Sequence, residues 1–378
     1  MGEIQSQTFQ RSFNASRKVG FKDSHVTSND GLIPLRQLGK RLGFLRWLIL
    51  LARQKGSWSL ASIVVEFWRF LTHIGWHREV FRLLKLRPFD EIAQNNPAFA
   101  FKYVVPIYLA RSFTVTERAS CFLRHYRRLY TALPENTLRQ ILQGSVTLYE
   151  IAEGGNRFAL TMGLPGERGH LEGELSLDLR VDGKNVFNLS FTIVPGWVVK
   201  SEVAEILLIT RLQGTLGARS QIRLARKAFH EFFPGKLLLA ALQGIADAFG
   251  ISELEAVCAT NQAYYSKKSA AIFQSAYDDF LAKVGMVKTA GGFYSSPIPI
   301  EGRLLASFKG RNRSRARKRR AIRQQIQSAC AALLLEQADR AAHSASGAED
   351  STPVPGSCGI TARPHLLSHT GLKSNPLT

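Results

Sequence analysis

From Val203 to Thr210 the chain reads Val-Ala-Glu-Ile-Leu-Leu-Ile-Thr, a bounded apolar run with β-branched residues that predicts a buried strand. Arg211-Leu-Gln-Gly214-Thr-Leu-Gly217-Ala218 follows as a glycine-punctuated loop. Helical spacing then covers Ser220 to His230, breaks at Pro234-Gly235, and resumes from Lys236 to Phe249. Gly250 stands just past that helix end. Glu253 to Ala259 predicts a second buried strand. Strand, loop, helix, strand is an α/β crossover that must lie on a sheet face, with a site expected at the loop end.

Upstream, Leu35, Leu38, Leu42, Leu45, Ile49 and Ala52 recur at three- and four-residue steps and draw one helical stripe. Further helices are predicted at Trp58–Thr72, Arg78–Leu86 and Thr114–Thr131. In the last, Thr114 and Glu117 have capping-box spacing. Four strand-like runs come next: Val146–Ala152, Phe158–Met162, Leu171–Val181 and Val186–Val194. Asp182-Gly183 between two of them is a hairpin signal. An antiparallel meander thus feeds the Val203 strand, and the fold class is α/β (α+β) with a mixed, mostly antiparallel sheet. After it, Lys267–Val284 reads as a helix, Gly291–Pro297 as a strand or loop, and Arg311–Leu335 as a basic helix. The expected organisation is a disordered 1–31, a basic Trp-rich helical region at 32–110, an α/β domain at 111–308, the basic helix, and a disordered tail over 336–378.

Composition changes this picture through charge. The net charge is +21 over 378 residues. Residues 35–90 carry eleven Lys/Arg against three Asp/Glu, and residues 309–323 carry nine Lys/Arg and no acid. Such segments seek phosphates: nucleic acid, anionic lipid or lipopolysaccharide, or a nucleotide-bearing cofactor. Four cysteines without CxxC or Cys/His spacing fit a reducing compartment and exclude a disulfide frame or zinc site. No signal peptide is evident and no apolar run approaches the ~20 residues of a membrane span. The expectation is a cytoplasmic protein, with peripheral membrane contact open through the basic, Trp-rich helices; inward packing of those helices is the blander alternative.

Candidate chemistry is sparse. His170, Glu172, Glu174, Ser176 and Asp178 alternate with leucines, so a strand would put them on one face as an acid/base set. An ordinary half-exposed antiparallel strand has the same pattern. Gly173 between the glutamates suggests a bulge or a close approach. Arg211, Gln213, Gly214 and Gly217 would cradle a phosphate with backbone amides at a helix N-terminus. There is no GxxxxGK[ST], GxGxxG, HExxH or GxSxG, so any enzyme here is expected to work without metal. The basic run offers Arg311, Arg313, Arg315, Arg317, Lys318, Arg319 and Arg320 to a polyanion, or else is a solvated tail.

His125-Tyr126, Glu172-Gly-Glu-Leu175, Leu189-Ser-Phe191, Leu212-Gln-Gly214, the Pro234–Gly250 helix, Tyr277-Asp-Asp-Phe280 and the basic end after Lys309 fall in an order that resembles the VirK/YbjX family over about residues 90 to 325. That resemblance implies a bacterial protein linked to virulence, envelope stress or antimicrobial-peptide tolerance, and it carries no catalytic residues. The order strand, Arg211-x-x-Gly214, helix, strand (253–259), helix with Tyr277, then Gly285-Met286 also looks like the acyl-CoA-dependent N-acetyltransferase fold. There the glycine loop holds the cofactor's pyrophosphate and a late-helix tyrosine protonates the leaving thiolate. By that likeness acyl-CoA is the cofactor and Tyr277 the acid, with Leu216 departing from the small residue of the loop.

Overall fold

The computed structural model describes residues 73–166, 169–300 and 309–346. The two helices expected within 35–72, the N-terminal tail and most of the C-terminal tail lie outside them. A compact unit runs through Ala341; beyond it only residues 342–346, the end of the last helix, are described.

Helices α1 (Ile74–Leu83), α2 (Phe89–Asn95), α3 (Val115–Ala132) and α4 (Glu135–Gln143) come first, with a 3-10 segment at Pro97–Val104. The Thr114 capping box forms in full: its side chain accepts from Glu117 N–H and the Glu117 carboxylate accepts from Thr114 N–H. Eight strands then make one sheet in the order β1-β2-β3-β4-β5-β6-β8-β7. These are β1 (Ser145–Glu153), β2 (Asn156–Gly163), β3 (Leu175–Val181), β4 (Lys184–Pro195), β5 (Glu205–Gly214), β6 (Glu253–Val257), β7 (Val287–Lys288) and β8 (Phe293–Pro297). All pairings are antiparallel except β5 with β6. Asp182 and Gly183 both take positive φ in the β3–β4 turn, the backbone that an Asp-Gly hairpin favours.

Helices α5 (Arg219–Ala228) and α6 (Pro234–Phe249) form the crossover between the parallel strands. α6 is apolar on nearly every side because it is buried on two. Gly235 lets it approach the sheet, where an added Cβ would lie 3.3 Å from Leu212 Cδ2. Gly244 meets α9 (Gly310–Ser346), where a Cβ would lie 2.3 Å from Gln327 O. α9 docks there through Ile326, Cys330 and Leu334. Between the crossover and β7, short helices α7 (Ala270–Phe273) and α8 (Asp279–Val284) flank a π-helical turn at Gln274–Asp278.

Three local expectations change. β5 runs four residues past Thr210, so Arg211–Gly214 is strand rather than loop, and only Thr215–Ala218 connects to α5. β3 starts at Leu175, so Glu172 and Glu174 belong to the turn before it. α9 continues to Ser346, beyond the expected start of the tail.

Candidate functional site

The turn Glu172-Gly173-Glu174 crosses β4 at Ser190 and Phe191 and β5 at Thr210. Gly173 has φ +149°, and a Cβ on it would come within 2.8 Å of Ser190 Cβ, so no other residue fits without movement. This close approach sends the two glutamates to different places. Glu174 is fully buried and accepts from Lys102 Nζ at 2.8 Å, from Tyr108 Oη at 2.5 Å and from Tyr126 Oη. Burial, with the Glu174 charge second, holds the Tyr108 and Tyr126 hydroxyls protonated far above the usual range. Glu172 instead pairs with Arg211 Nη1 at 2.9 Å, and its backbone carbonyl accepts from Thr210 Oγ1. Because the chain turns at Gly173, Glu174 leaves the strand face expected for His170, Glu172, Glu174, Ser176 and Asp178. Ser176 and Asp178 keep it on β3: Ser176 Oγ donates to Asp178 Oδ1 at 2.7 Å, and Arg211 stands across from Ser176 by way of Ser190.

Arg211 Nε donates to Gln213 Oε1 at 3.1 Å. Tyr277, on the π-helical turn, is buried and hydrogen-bonds the backbone at Leu212. Burial first and the nearby Glu172 charge second raise its pKa. The structure thus brings Glu172, Arg211, Gln213 and Tyr277 together and leaves Glu174 in a separate cluster. The parallel pairing of β5 with β6 ends at Ile209 and Ala256, and past it Tyr277, stacked on Phe273 at 5.7 Å, lies buried beside β5. Gly214 is packed: a Cβ there would stand 3.4 Å from Ile222 Cδ1 and 3.5 Å from the Phe187 ring. Gly217 alone sits in a loop, at φ +82° with open space around it, ahead of an α5 N-terminus that has no side-chain cap.

Sequence reasoning passed over Lys102, Tyr108 and Glu255, which are buried and polar, and left Tyr126 and His125 without a role. His125 Nδ1 accepts from Ile193 N–H at 3.0 Å, where β3 no longer pairs with β4. Burial, then the Lys102 charge, lowers its pKa to about 3, so the ring stays neutral. Glu255 faces Ser295 on β8 in the strand register, and burial raises its pKa to about 7. The adjacency of His125 and Tyr126 was the one visible signal, since the other partners come from distant segments. Among the described residues no group of His, Cys, Asp and Glu is arranged to hold a metal.

The cationic run lies on the first half of α9. Lys309, Arg313, Arg315, Arg317 and Lys318 are exposed, Arg319 and Arg320 are half-buried, and the Arg311 side chain lies outside the described residues. Arg319 Nε donates to His230 O at 3.1 Å, which seats this part of α9 beside the end of α5. Among the described residues no helix is long and apolar enough to cross a membrane.

The family described as "Protein of unknown function (DUF535)" matches residues 59–332, more than half of the chain. The chain belongs to the DUF535 family. That family includes VirK/YbjX, so the resemblance in the motif order holds at this level. No curated protein and no solved structure matches the chain. The DUF535 region takes in both buried polar clusters, the β5–α5 loop and the cationic half of α9.

Proposed function

We propose that this DUF535 protein is a peripheral, non-enzymatic binder of anionic lipid surfaces, phospholipid or lipopolysaccharide, through the cationic half of α9. The observation that carries this reading is an acid-free run of nine Lys/Arg from Lys309 to Arg323, most of it exposed, at a helix N-terminus. Cations there oppose the helix dipole and repel one another, so a bound polyanion relieves both costs. Each contributes about 1 kcal/mol at an anionic bilayer surface. Residues 309–335 hold no aromatic side chain, which disfavours base stacking on single-stranded RNA. The test is co-sedimentation with phosphatidylglycerol and phosphatidylcholine vesicles. Binding is expected only to the anionic vesicles, falling steeply between about 50 and 200 mM salt. It should be lost when Arg313, Arg315, Arg317 and Lys318 are all changed to Gln. Unchanged binding by that variant, or binding to RNA with none to vesicles, removes the lipid reading.

A second reading, an acyltransferase using acyl-CoA, draws support from the strand order and from the end of the parallel β5–β6 pairing at Ile209 and Ala256. The cofactor's pyrophosphate would lie on the uncapped α5 N-terminus at Gly217, with Arg211, Gln213 and Gly214 on the approaching strand. Tyr277 would be the acid, with Glu172 beside it and Glu174 behind. The burial of Tyr277 and its bond to the Leu212 backbone make this the weaker reading. A thermal shift with acetyl-CoA that vanishes in Arg211→Ala would sustain it; no shift at any concentration would end it.

A further inference from the structure

We infer that the membrane contact has a second element, α5 and the loop before it, with Leu216 and Leu224 entering the headgroup layer beside Arg223 and Lys227. This rests on the lipid reading above. Helix α5 turns Ala225 and Phe229 inward and packs Ile222 partly against the core. Ser220, Arg223, Leu224 and Lys227 recur at helical spacing on the outward face, and all are exposed. A lone exposed leucine is ordinary on a soluble surface. Here, however, three of the nine large exposed apolar side chains among the described residues, Leu216, Leu224 and Phe233, fall within one short segment.

Phe233 lies near the loop that carries Leu216. Phe233 packs on Phe187 with ring centroids 5.5 Å apart, and Phe187 also lies 3.5 Å from where a Cβ on Gly214 would stand, two residues before Leu216. The same segment is basic. Residues 215–230 carry Arg219, Arg223, Arg226 and Lys227 and no acid, and Glu231 is engaged by Arg226 at 2.8 Å. Its far end meets α9 through Arg319 and His230. Two like-charged helices therefore meet at Arg319 and His230, with Leu224 among the charges of the first and Leu216 in the loop before them. Basic residues with interspersed leucines fit a bilayer interface, where cations reach phosphates and apolar tips leave water. RNA phosphates would match the charge and give the leucines nothing.

The test uses the full chain and phosphatidylglycerol vesicles. Leu216→Ser with Leu224→Ser is expected to lower vesicle affinity about tenfold, a modest share of two full leucine transfers. Heparin binding should be unchanged, since it reads charge alone. Brominated-lipid quenching of Leu216→Trp should exceed that of the unsubstituted protein, a gain of signal that holds even if the serine variant folds poorly. Serine-variant binding equal to the unsubstituted protein, or no added quenching at residue 216, overturns the inference. If at the same time the α9 glutamine variant loses binding, the lipid reading itself stands. If neither variant changes binding, both fall.

Discussion

The carboxylate of Glu174 meets Lys102, Tyr108 and Tyr126 inside the fold, whereas the guanidinium of Arg313 stands exposed on a helix with no acid before Glu336. Both regions are rich in polar groups, and they treat them in opposite ways. Around Glu174 and around Glu172 with Arg211, each charge has a partner drawn from a distant segment, as burial in a low-dielectric interior demands. Along the first half of α9 like charges accumulate with no acid among them. Buried polar clusters of the first kind hold a fold together. The second is a cost to the fold that makes sense when something outside the chain carries the opposite charge.

The comparison is broken most sharply at Glu174. Glu174→Ala would strand a buried ammonium and two tyrosine hydroxyls, and is expected to cost about 4 kcal/mol in denaturant unfolding. Glu174→Gln, which keeps an acceptor, should cost less. If the alanine variant unfolds like the native protein, the cluster is not structural and becomes the place to look for chemistry.

A smaller effect separates an imperfect member of the closed region. Glu255 Oε2 is buried and has no hydrogen-bond partner among the described residues. The carboxyl titrates near 7 in the fold, because of burial first, and near 4.5 when unfolded. The folded state therefore holds a proton the unfolded chain has released, and stability falls as pH rises from about 4.5 through 7. The loss is about 3 kcal/mol. His125 has the opposite sign: its folded pKa of about 3 makes stability fall as pH drops below about 6.5. Glu255→Gln should therefore be more stable relative to the native protein at pH 8 than at pH 5, read by melting at both pH values. An equal difference at the two pH values would place Glu255 in a wetter setting.

These residues also mark where the sequence was legible and where it was not. The Thr114 cap, the Asp182-Gly183 turn, the helix ending at Gly250 and the parallel β5–β6 pair are local signals, and each appears where its residues demand it. The end of β5 was misread because glycines suggested a loop, while Gly214 is tolerated in the strand by the packing of Ile222 and Phe187 around it. Alternation of Leu with polar residues mimics a strand through Glu172 and Glu174, but Gly173 itself signals the close approach that Ser190 and Thr210 make there. The Glu174 cluster gathers residues 102, 108, 126 and 174, separations over which no periodicity carries a signal. The cationic run needed no such long-range information, since nine basic residues without an acid show in composition alone.

The smallest effect is the one that best tells the two regions apart. Changing Arg313, Arg315 and Arg317 to Gln removes three exposed cations from the N-terminal turns of α9. If they served the fold, as the buried pairs do, stability would drop. Because they oppose the helix dipole and repel Lys318 and Arg320, their removal is expected to leave stability unchanged or raise it by about 0.5 kcal/mol. Burial, with Arg320 second, already lowers the pKa of Arg323, in keeping with crowding of like charge on this helix. The gain should appear in melts at low salt and fade as salt screens the repulsion. A variant that is less stable at every salt concentration would mean that the run is held by contacts within the chain. The contrast with Glu174 would then close, and with it the reason for seeking an anionic surface outside.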